Sequence, residues 1–332
     1  MVARWLQRQW FEQRRLAPAL WPLAPLSALY SAVAGYKRDK AKPERLPVPV
    51  IVVGNITVGG AGKTPLTLWL ARQLQARGRH PGIVSRGYGS AGTLPRAVTA
   101  DSLPSEVGDE PVLLGRRSGA PVWVGRDRVA AGRAMLAAHP EVDVIVCDDG
   151  LQHYRLARDF EIAVFDGRGA GNGWRLPAGP LREPLARLAE VDAIVCNGAP
   201  DYRMPTARAQ FDMRLQPGDF YNLDNPKRHC SVADLAGRRL HALAGIGDPG
   251  RFFRTLEALG LEFTRHPFAD HHAYSSEDLA FAKNDVLLMT EKDAVKCVGL
   301  TVGETWVLPV DAELSPALIE LILEKLRGRQ AA

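Results

Sequence analysis

The sequence predicts an α/β fold with a mostly parallel β-sheet flanked by helices, and three observations support this prediction. First, short apolar runs rich in Val and Ile alternate with helical patterns from residue 48 onward, an order that builds parallel sheets. Second, the first run leads into a glycine-rich loop that ends in Gly62-Lys63-Thr64. Third, two later runs end in carboxylates, at positions 148, 149 and 166, where strands of parallel sheets present ligand-binding groups.

The composition is that of an ordinary globular protein. The 332 residues are 46% apolar and 24% charged, which excludes a disordered chain and allows two domains with their own cores. A net charge of +5 favours an anionic partner, without choosing between nucleic acid, a membrane surface and a phosphorylated substrate. Four scattered cysteines form no Cys-x-x-Cys pair, so we expect buried reduced thiols and a reducing compartment: Cys147, Cys196, Cys230 and Cys297.

Residues 1–37 form an amphipathic helical segment by prediction. Trp5, Leu6 and Trp10 fall on one helical face, and the stretch between Arg15 and Lys37 carries no charge. Its three prolines argue against a membrane-spanning helix, and the nucleotide-type loop that follows argues against a secretory signal. Two interpretations stay open: a helix lying in a membrane interface, which the pattern favours, and a helix packed on the protein's own core.

The loop after the first strand predicts a phosphate-binding site, or P-loop. Glycines allow backbone N–H groups to surround phosphate oxygens, and the following helix adds its positive N-terminal end. Lys63 would reach the outer phosphates, and the Thr64 hydroxyl would bind Mg²⁺. The usual first glycine, five residues before Gly62, is Thr57 in this chain. We expect the nucleotide to contact Thr57, Val58, Gly59, Gly60, Ala61, Gly62, Lys63 and Thr64.

Two further stretches carry charged residues near predicted element ends. Arg86 follows the predicted strand at residues 82–85, where it would meet an anion or serve as a structural ion-pair partner. Asp109 and Glu110 precede a helical pattern, and Pro111 follows them. On residue types alone, these two acids are helix caps.

The run at residues 142–147 ends in Asp148 and Asp149. Adjacent acids at a buried strand end bind Mg²⁺ in P-loop enzymes, directly or through water. Together with Lys63 and Thr64, they predict a magnesium site. His153 follows shortly afterwards, where a substrate contact and a structural role are both open.

The stretch at residues 167–184 is rich in Gly and Pro and is too long for a simple connector. It predicts a binding loop whose polar candidates are Arg182 and Glu183. The strand at residues 191–196 is followed by Asn197-Gly198, without the Asn/Thr-Lys-x-Asp motif that reads guanine. ATP is therefore the predicted nucleotide.

A domain boundary is predicted where prolines 205, 217 and 226 punctuate a polar stretch. We expect a P-loop domain at residues 38–215 and a smaller C-terminal α/β domain at residues 216–332. In the latter, His271 and His272 follow an aspartate. Because neighbouring side chains point apart, metal binding is a weak interpretation, and one histidine paired with a carboxylate in catalysis is at least as plausible.

Several stretches together resemble the tetraacyldisaccharide 4'-kinases of lipid A biosynthesis, and the resemblance runs from the N-terminal helix to the last strand. They are Gly54-Asn55-Ile56-Thr57-Val58-Gly59-Gly60-Ala61-Gly62-Lys63-Thr64-Pro65, Ser85-Arg86-Gly87-Tyr88, Gly108-Asp109-Glu110-Pro111, Asp148-Asp149-Gly150-Leu151-Gln152-His153, residues 176–184, Asp270-His271-His272 and residues 289–296. The Thr57 departure is no objection, since this family's loop is similar there.

The resemblance implies ATP-dependent phosphorylation of the 4'-hydroxyl of a lipid A disaccharide 1-phosphate, forming the bis-phosphorylated precursor lipid IVA. It implies ATP and Mg²⁺ as cofactors and a place at the cytoplasmic face of the bacterial inner membrane. The expected partners are the lipid substrate and the membrane surface, with no nucleic acid and no obligate protein partner. A basic N-terminus lying on a membrane suits such a substrate on physical grounds.

The resemblance also assigns roles to residues. Its catalytic carboxylate falls on Asp109, which replaces the capping interpretation, and its partner histidine falls on His271, with Lys63 completing the catalytic set. Thr64 and either Asp148 or Asp149 would hold the metal. The substrate side would be formed by Arg86, Arg182 and Glu183.

The alternative function is a membrane-associated P-loop ATPase switch of the kind that positions proteins or partitions DNA. The loops of such switches carry a second lysine before the paired glycines, whereas this chain has Val58 there. A switch would hydrolyse ATP slowly and need no sugar substrate.

Overall fold

The structure, a computed structural model, describes residues 2–13, 15–87, 94–198, 204, 206, 208–300 and 303–330. Tyr88, which completes one of the motifs above, lies outside these ranges. Ten α-helices occur within them: α1 (Val2–Phe11), α2 (Ala24–Lys40), α3 (Lys63–Gln75), α4 (Pro104–Val107), α5 (Asp109–Ser118), α6 (Arg128–Ala138), α7 (Val232–Leu235), α8 (Pro249–Ala258), α9 (Glu291–Cys297) and α10 (Ala317–Gln330).

Fifteen β-strands occur in the same described ranges. They are β1 (Val50–Gly54), β2 (Pro81–Ser85), β3 (Arg96–Val98), β4 (Val122–Val124), β5 (Val144–Asp148), β6 (Phe160–Asp166), β7 (Ala193–Asn197), β8 (Ala209–Pro217), β9 (Phe220–Asn222), β10 (His229–Cys230), β11 (Leu240–Ala244), β12 (Thr264–Pro267), β13 (Val286–Thr290), β14 (Glu304–Leu308) and β15 (Val310–Leu314).

The larger sheet has the strand order β15-β8-β7-β6-β1-β5-β2-β4-β3. Its inner strands, from β8 to β4, run parallel to one another. The edge strands β15 and β3 are antiparallel to their neighbours. β1 lies between β6 and β5, so the carboxyl end of β1 is where open α/β sheets bind ligands.

Helices cover both faces of this sheet, and the side chains of β1 are therefore buried on both sides. Ile51 and Val53 pack with α3 and α10 in one core, and Val50 and Val52 pack with α6 in another. A strand that is buried on both faces reads as a continuous apolar run in the sequence. This explains why β1 was predictable from its composition alone.

The smaller sheet has the order β10-β9-β14-β13-β11-β12. β14, β13, β11 and β12 are parallel, and β9 and β10 are added antiparallel at one edge. This sheet has its own apolar cores, one containing Trp306 and Phe252 and the other containing Leu243 and Met289. The chain therefore contains a second α/β unit.

The predicted boundaries of this unit, residues 216–332, require correction at both ends. β8 extends to Pro217 within the larger sheet, and β15 returns to pair with it, with Val310 opposite Pro217. Leu318 and Ile322 of α10 are buried in the core of the larger sheet. The smaller unit thus spans β9 to β14. The sequence pattern hid this because a strand–helix pair reads the same whichever sheet it joins.

The N-terminal segment has one packed face and one exposed face. Trp10, Leu20 and Ser27 are buried, and the Trp10 indole N–H donates to the carbonyl oxygen of Pro177 at 3.2 Å. The opposite face exposes a row of large apolar side chains: Trp5, Trp21, Leu26, Leu29, Val33 and Tyr36. The packed face agrees with the self-packing interpretation, and the membrane interpretation of the exposed face stays a prediction.

Candidate active site

The P-loop is shaped by glycine and by two asparagine amides. Gly62 has a φ of +96° and a Cβ there would lie 2.3 Å from Asn197 Nδ2, so a side chain is excluded. Asn197 Nδ2 donates to the carbonyl oxygen of Ala61 at 3.0 Å. Asn55 Nδ2 donates to that of Gly59 at 3.1 Å. The residues that were predicted to contact the nucleotide, Thr57 to Thr64, thus lie between β1 and the N-terminal end of α3.

The loop at residues 174–183 lies directly against the P-loop. Val58 N donates to the carbonyl oxygen of Pro180 at 2.9 Å, and Arg182 N donates to that of Ile56 at 2.6 Å. The N-terminal segment supports this loop from the other side, since Ser27 Oγ donates to the carbonyl oxygen of Arg175 at 2.8 Å. The predicted binding loop is therefore joined to both the P-loop and the N-terminal helices.

Strand register places the two acids beside the P-loop. Val53 of β1 pairs with Asp148 of β5, one residue before the P-loop begins at Gly54. Asp148 is fully buried, and its Oδ1 accepts a hydrogen bond from Thr67 Oγ1 at 3.0 Å. Because Thr67 is three residues after Thr64 on α3, the two threonines share a helix face. Thr64 therefore lies on the face of α3 that contacts Asp148.

The two neighbouring acids have different electrostatic environments. Burial raises the pKa of Asp148 to about 7, with the charge on Glu110 adding to the effect. Burial also acts on Asp149, but the charges on Lys63 and Arg182 outweigh it and lower the pKa of that carboxyl. Asp149 Oδ1 lies 3.5 Å from Lys63 Nζ and 3.4 Å from Arg182 Nη1. Asp149 is thus a paired carboxylate.

Asp109 and His271 meet across 162 residues of sequence. His271 Nδ1 lies 3.0 Å from Asp109 Oδ2, and Asp109 Oδ1 accepts a hydrogen bond from Glu110 N at 2.9 Å. Burial alone raises the pKa of Asp109, but the bond to His271 and the charge on Lys292 reverse the shift and lower it. The same bond raises the pKa of His271. This pair is suited to exchanging a proton with a bound hydroxyl.

The helix-cap interpretation of Asp109 accounts for only one of its contacts. α5 begins at Asp109 and its N-cap residue is Gly108; the Asp109 carboxylate accepts from Glu110 N in the first turn and also contacts His271. Asp109 is buried instead of solvated. A carboxylate in the first helical turn is favourable in either case, so the residue types alone do not predict the contact with His271.

The remaining predicted residues differ in their surroundings. Arg86 is exposed after β2, at the same sheet edge. Glu183 is buried, and its oxygens accept from Gln152 Nε2 at 2.6 Å and from Tyr154 Oη at 2.5 Å. Arg182 faces Asp149, whereas Glu183 faces this interior network and also lies 3.3 Å from Arg187 Nε. Glu183 therefore orients its neighbours in this structure.

Two histidines have structural partners. His153 Nε2 accepts a 3.3 Å hydrogen bond from Arg128 N at the start of α6, and burial lowers its pKa to about 4. His272 Nε2 lies 3.3 Å from Asp278 Oδ2. The structural interpretation of His153 thus has direct support, and His272 points away from the Asp109 pair.

Sequence reasoning assigned no role to Thr67, Asn197 or Lys292. Thr67 bonds Asp148, Asn197 bonds the P-loop, and Lys292 Nζ lies 3.1 Å from Glu110 Oε1 and 4.0 Å from Asp109 Oδ2. One signal was available for Lys292, because a lysine in a first helical turn opposes the helix dipole and therefore suggests a specific anionic partner.

Comparisons with known proteins agree with this arrangement. A profile of the family described as Tetraacyldisaccharide-1-P 4'-kinase matches residues 19–327. The tetraacyldisaccharide 4'-kinase of Dechloromonas aromatica is 68% identical, and the alignment covers 100% of both chains. The enzyme of the same name from Methylobacillus flagellatus is 50% identical over 98% of this chain and 96% of its own length.

A solved structure gives the same result for the fold. The crystal structure of LpxK from Aquifex aeolicus in complex with ATP is similar with a TM-score of 0.80 and 30% identity, and covers 93% of this chain and 99% of its own. The predicted α/β fold with a P-loop is thereby confirmed. The chain belongs to the family of tetraacyldisaccharide-1-P 4'-kinases.

Proposed function

We propose that the protein transfers the γ-phosphoryl group of ATP to the 4'-hydroxyl of a tetraacyldisaccharide 1-phosphate, with Asp109 and His271 accepting the hydroxyl proton. The observation that carries the proposed roles is the 3.0 Å contact between His271 Nδ1 and Asp109 Oδ2. It lies beside a P-loop whose Lys63 is poised for phosphate. A pure ATPase switch has no need of such a pair.

Catalysis in this site consists of positioning, charge neutralisation and one proton transfer. Lys63 and the N–H groups at the start of α3 hold the outer phosphates of ATP. The Asp109 carboxylate, stabilised by its bonds from Glu110 N and His271, favours the attacking form of the sugar hydroxyl. The pair then holds the proton that the hydroxyl loses. Arg182, on the loop at residues 174–183 that bonds the P-loop, supplies positive charge toward the phosphates.

The residues present fit a bound Mg²⁺. Asp148 Oδ2 is buried and has no hydrogen-bond partner within the described residues, which marks an acceptor that awaits a donor or a cation. We assign Mg²⁺ to Thr64 and Asp148, with Asp149 held by Lys63 and Arg182. The ion would neutralise the charge that develops on the phosphates.

No three His, Cys, Asp or Glu side chains cluster as metal ligands in the described part of the chain. A magnesium ion needs few protein ligands when it also binds substrate phosphates and water. A threonine and one carboxylate are therefore a sufficient protein contribution.

We place the exposed face of the N-terminal segment in a membrane interface. Trp21 is 64% exposed and Leu29 is 61% exposed, an arrangement typical of interfacial helices. None of the helices in the described ranges is both long and apolar enough to cross a membrane. This position at the membrane would bring the phosphoryl-transfer site close to a lipid substrate whose acyl chains stay in the bilayer. We propose the cytoplasmic face of the inner membrane, where ATP is available.

The test is transfer of labelled γ-phosphate to purified lipid A disaccharide 1-phosphate in detergent with Mg²⁺. Wild type should produce a labelled bis-phosphorylated lipid. Lys63→Ala should produce none, because the outer phosphates lose their cation, and Lys283→Ala, an exposed lysine elsewhere, should match wild type. ATP hydrolysis without a labelled lipid would contradict the kinase and support the ATPase switch.

A further inference from the structure

A single buried ammonium group lies among three carboxylates next to the proposed proton-accepting pair. Lys292 Nζ is 3.1 Å from Glu110 Oε1, 3.1 Å from Asp270 Oδ1 and 4.0 Å from Asp109 Oδ2. The lysine side chain is only 17% exposed. An ammonium has three donors that it can direct independently, so it can serve several carboxylates at once.

The helix that carries Lys292 offers no reason for a lysine at this position. Lys292 is the second residue of α9, and Glu291 and Asp293 occupy the same first turn. A positive charge at a helix N-terminus is unfavourable because the N–H dipoles already make that end positive. The carboxylates of other elements must therefore account for the lysine.

The contacts of Lys292 join the two parts of the molecule. Asp109 and Glu110 belong to α5, which packs on the larger sheet, whereas Asp270 and Lys292 belong to the smaller unit. His271, directly after Asp270, has a φ of +60°, a backbone conformation that is costly for a residue with a side chain. Such a turn persists only where its surroundings hold it. The bond from Lys292 to Asp270 attaches this turn to α5.

We propose that Lys292 is a positioning residue for phosphoryl transfer: it joins Glu110 to Asp270 and thereby holds His271 against an ionised Asp109. The inference rests on the proposed roles of Asp109 and His271. Lys292 acts through these two groups and makes no contact with the reacting atoms in this account.

The electrostatics of the cluster lead to the same role. The charged groups facing Asp109 and His271 are Glu110 on α5, Asp270 on the turn, and Lys292 and Lys296 on α9. The charge on Lys292 lowers the pKa of Asp109 and also that of His271. Without it, both pKa values rise, because the two acidic neighbours are no longer balanced. Both changes protonate the pair at a higher pH.

The experiment measures kcat, the KM for ATP and the pH dependence of kcat for Lys292→Met and Lys292→Arg. Lys292→Met should lower kcat roughly 10- to 100-fold and move the acid limb of the profile upward by about one pH unit. The KM for ATP should change little, since Lys292 is not at the P-loop. Lys292→Arg keeps the charge and should return the acid limb to its wild-type position.

The matched control is Lys296→Met, on the same helix, because Lys296 is also buried and lies 2.9 Å from Asp293 Oδ1. It should displace the acid limb less than Lys292→Met does. An equal displacement would overturn the proposal, since any loss of a buried lysine would then suffice.

Asp270→Asn alone covers the case in which Lys292→Met does not fold: it removes a charge that raises the pKa of His271, so the acid limb should move downward, and an unmoved limb would overturn the proposal. Lys292→Met combined with Asp270→Asn removes one unbalanced carboxylate, and it should move the acid limb back toward its wild-type position. If the double variant folds and its acid limb stays where that of Lys292→Met lies, the electrostatic role of Lys292 is overturned. If Asp109→Asn and His271→Ala lower kcat while Lys292→Met leaves the profile unmoved, this inference fails alone. If those two variants keep normal kcat, the proposed proton-accepting roles of Asp109 and His271 fail, and this inference fails with them.

Discussion

The three carboxylates around the nucleotide site have three different surroundings. Asp109 accepts hydrogen bonds from Glu110 N and His271, Asp149 faces Lys63 and Arg182, and Asp148 accepts one bond from Thr67. These environments distinguish the proposed proton acceptor Asp109, the ion-paired Asp149 and the proposed metal ligand Asp148. Environment, more than residue type, divides the roles among equivalent side chains.

We expect Asp109→Asn and His271→Ala each to lower kcat by roughly two to four orders of magnitude. Both changes remove the proton acceptor while leaving Lys63 and the P-loop in place. The measurement is single-turnover transfer of labelled phosphate at saturating ATP, with nucleotide binding measured separately. Near-normal turnover in either variant, together with normal ATP binding, would remove that residue from the mechanism.

Asp148→Asn should lose Mg²⁺-dependent activity and yet raise the melting temperature of the metal-free protein at pH 8. Burial raises the pKa of Asp148 from 3.8 to about 7, so folding stability is lost as pH rises between these two values, and the full cost of the ionised group is present at pH 8. Asparagine removes that charge and can still accept the bond from Thr67. The check is thermal unfolding in EDTA; a lower melting temperature for the variant would contradict the account.

The sequence located single residues correctly where neighbours in the chain determine the local structure. Lys63 and Thr64 follow from a local loop–helix pattern, and they lie where that pattern puts them. The partner of Asp109 is 162 residues away, so no local pattern could indicate it, and only the family resemblance suggested the pairing. The roles of these residues remain predictions until the variants are measured.

The N-terminal helices and the loop at residues 174–183 act as one layer on the larger sheet. Trp10 and Ser27 bond the backbone of this loop, at Pro177 and Arg175, and the loop in turn bonds the P-loop. One face of the segment therefore supports the loop, and the other is the exposed face that we propose to lie in a membrane interface. Hydrophobic periodicity predicted the helices but could not divide their apolar residues between the two faces.

The two faces can be tested separately. Trp21→Ser with Leu29→Ser should weaken binding to vesicles about tenfold or more, because each buried apolar side chain contributes about 1.5–3 kcal/mol. Its activity on detergent-dispersed substrate should stay near wild type. Ser27→Ala should retain vesicle binding and lose activity in detergent. Liposome flotation and the labelled-phosphate assay measure the two effects. Unchanged flotation of the double variant would contradict the proposed position of this face in the membrane interface.

In the whole molecule, the two sheets meet at the nucleotide site. A Cβ on Gly247, in the loop after β11, would lie 3.4 Å from Gly60 N in the P-loop. α5 also contacts α9 through the buried ion pair between Arg117 and Glu291. The smaller unit therefore contributes His271, Lys292 and a glycine loop to a site that the larger sheet begins.

Gly247→Leu should raise the KM for ATP about tenfold, since a wedge between the two loops costs roughly 1–3 kcal/mol. Gly247→Ala is the matched control, because its single carbon fits at ordinary contact distance. ATP titrations at fixed lipid give both values. An unchanged KM in the leucine variant would show that the two loops do not need to approach each other.

The return of β15 to the larger sheet also has a consequence during synthesis of the chain. β1 to β8 are synthesised before the smaller unit, whereas β15 comes directly after β14, so the larger sheet lacks its edge strand until nearly the whole chain has been made. Until β15 arrives, β8 is an unpaired sheet edge, and the α3 side of the sheet lacks the buried side chains of α10. A nascent chain stalled before residue 310 would thus expose an unpaired strand edge and the apolar surface that α10 covers in the complete fold. Release of about the last twenty residues closes the fold.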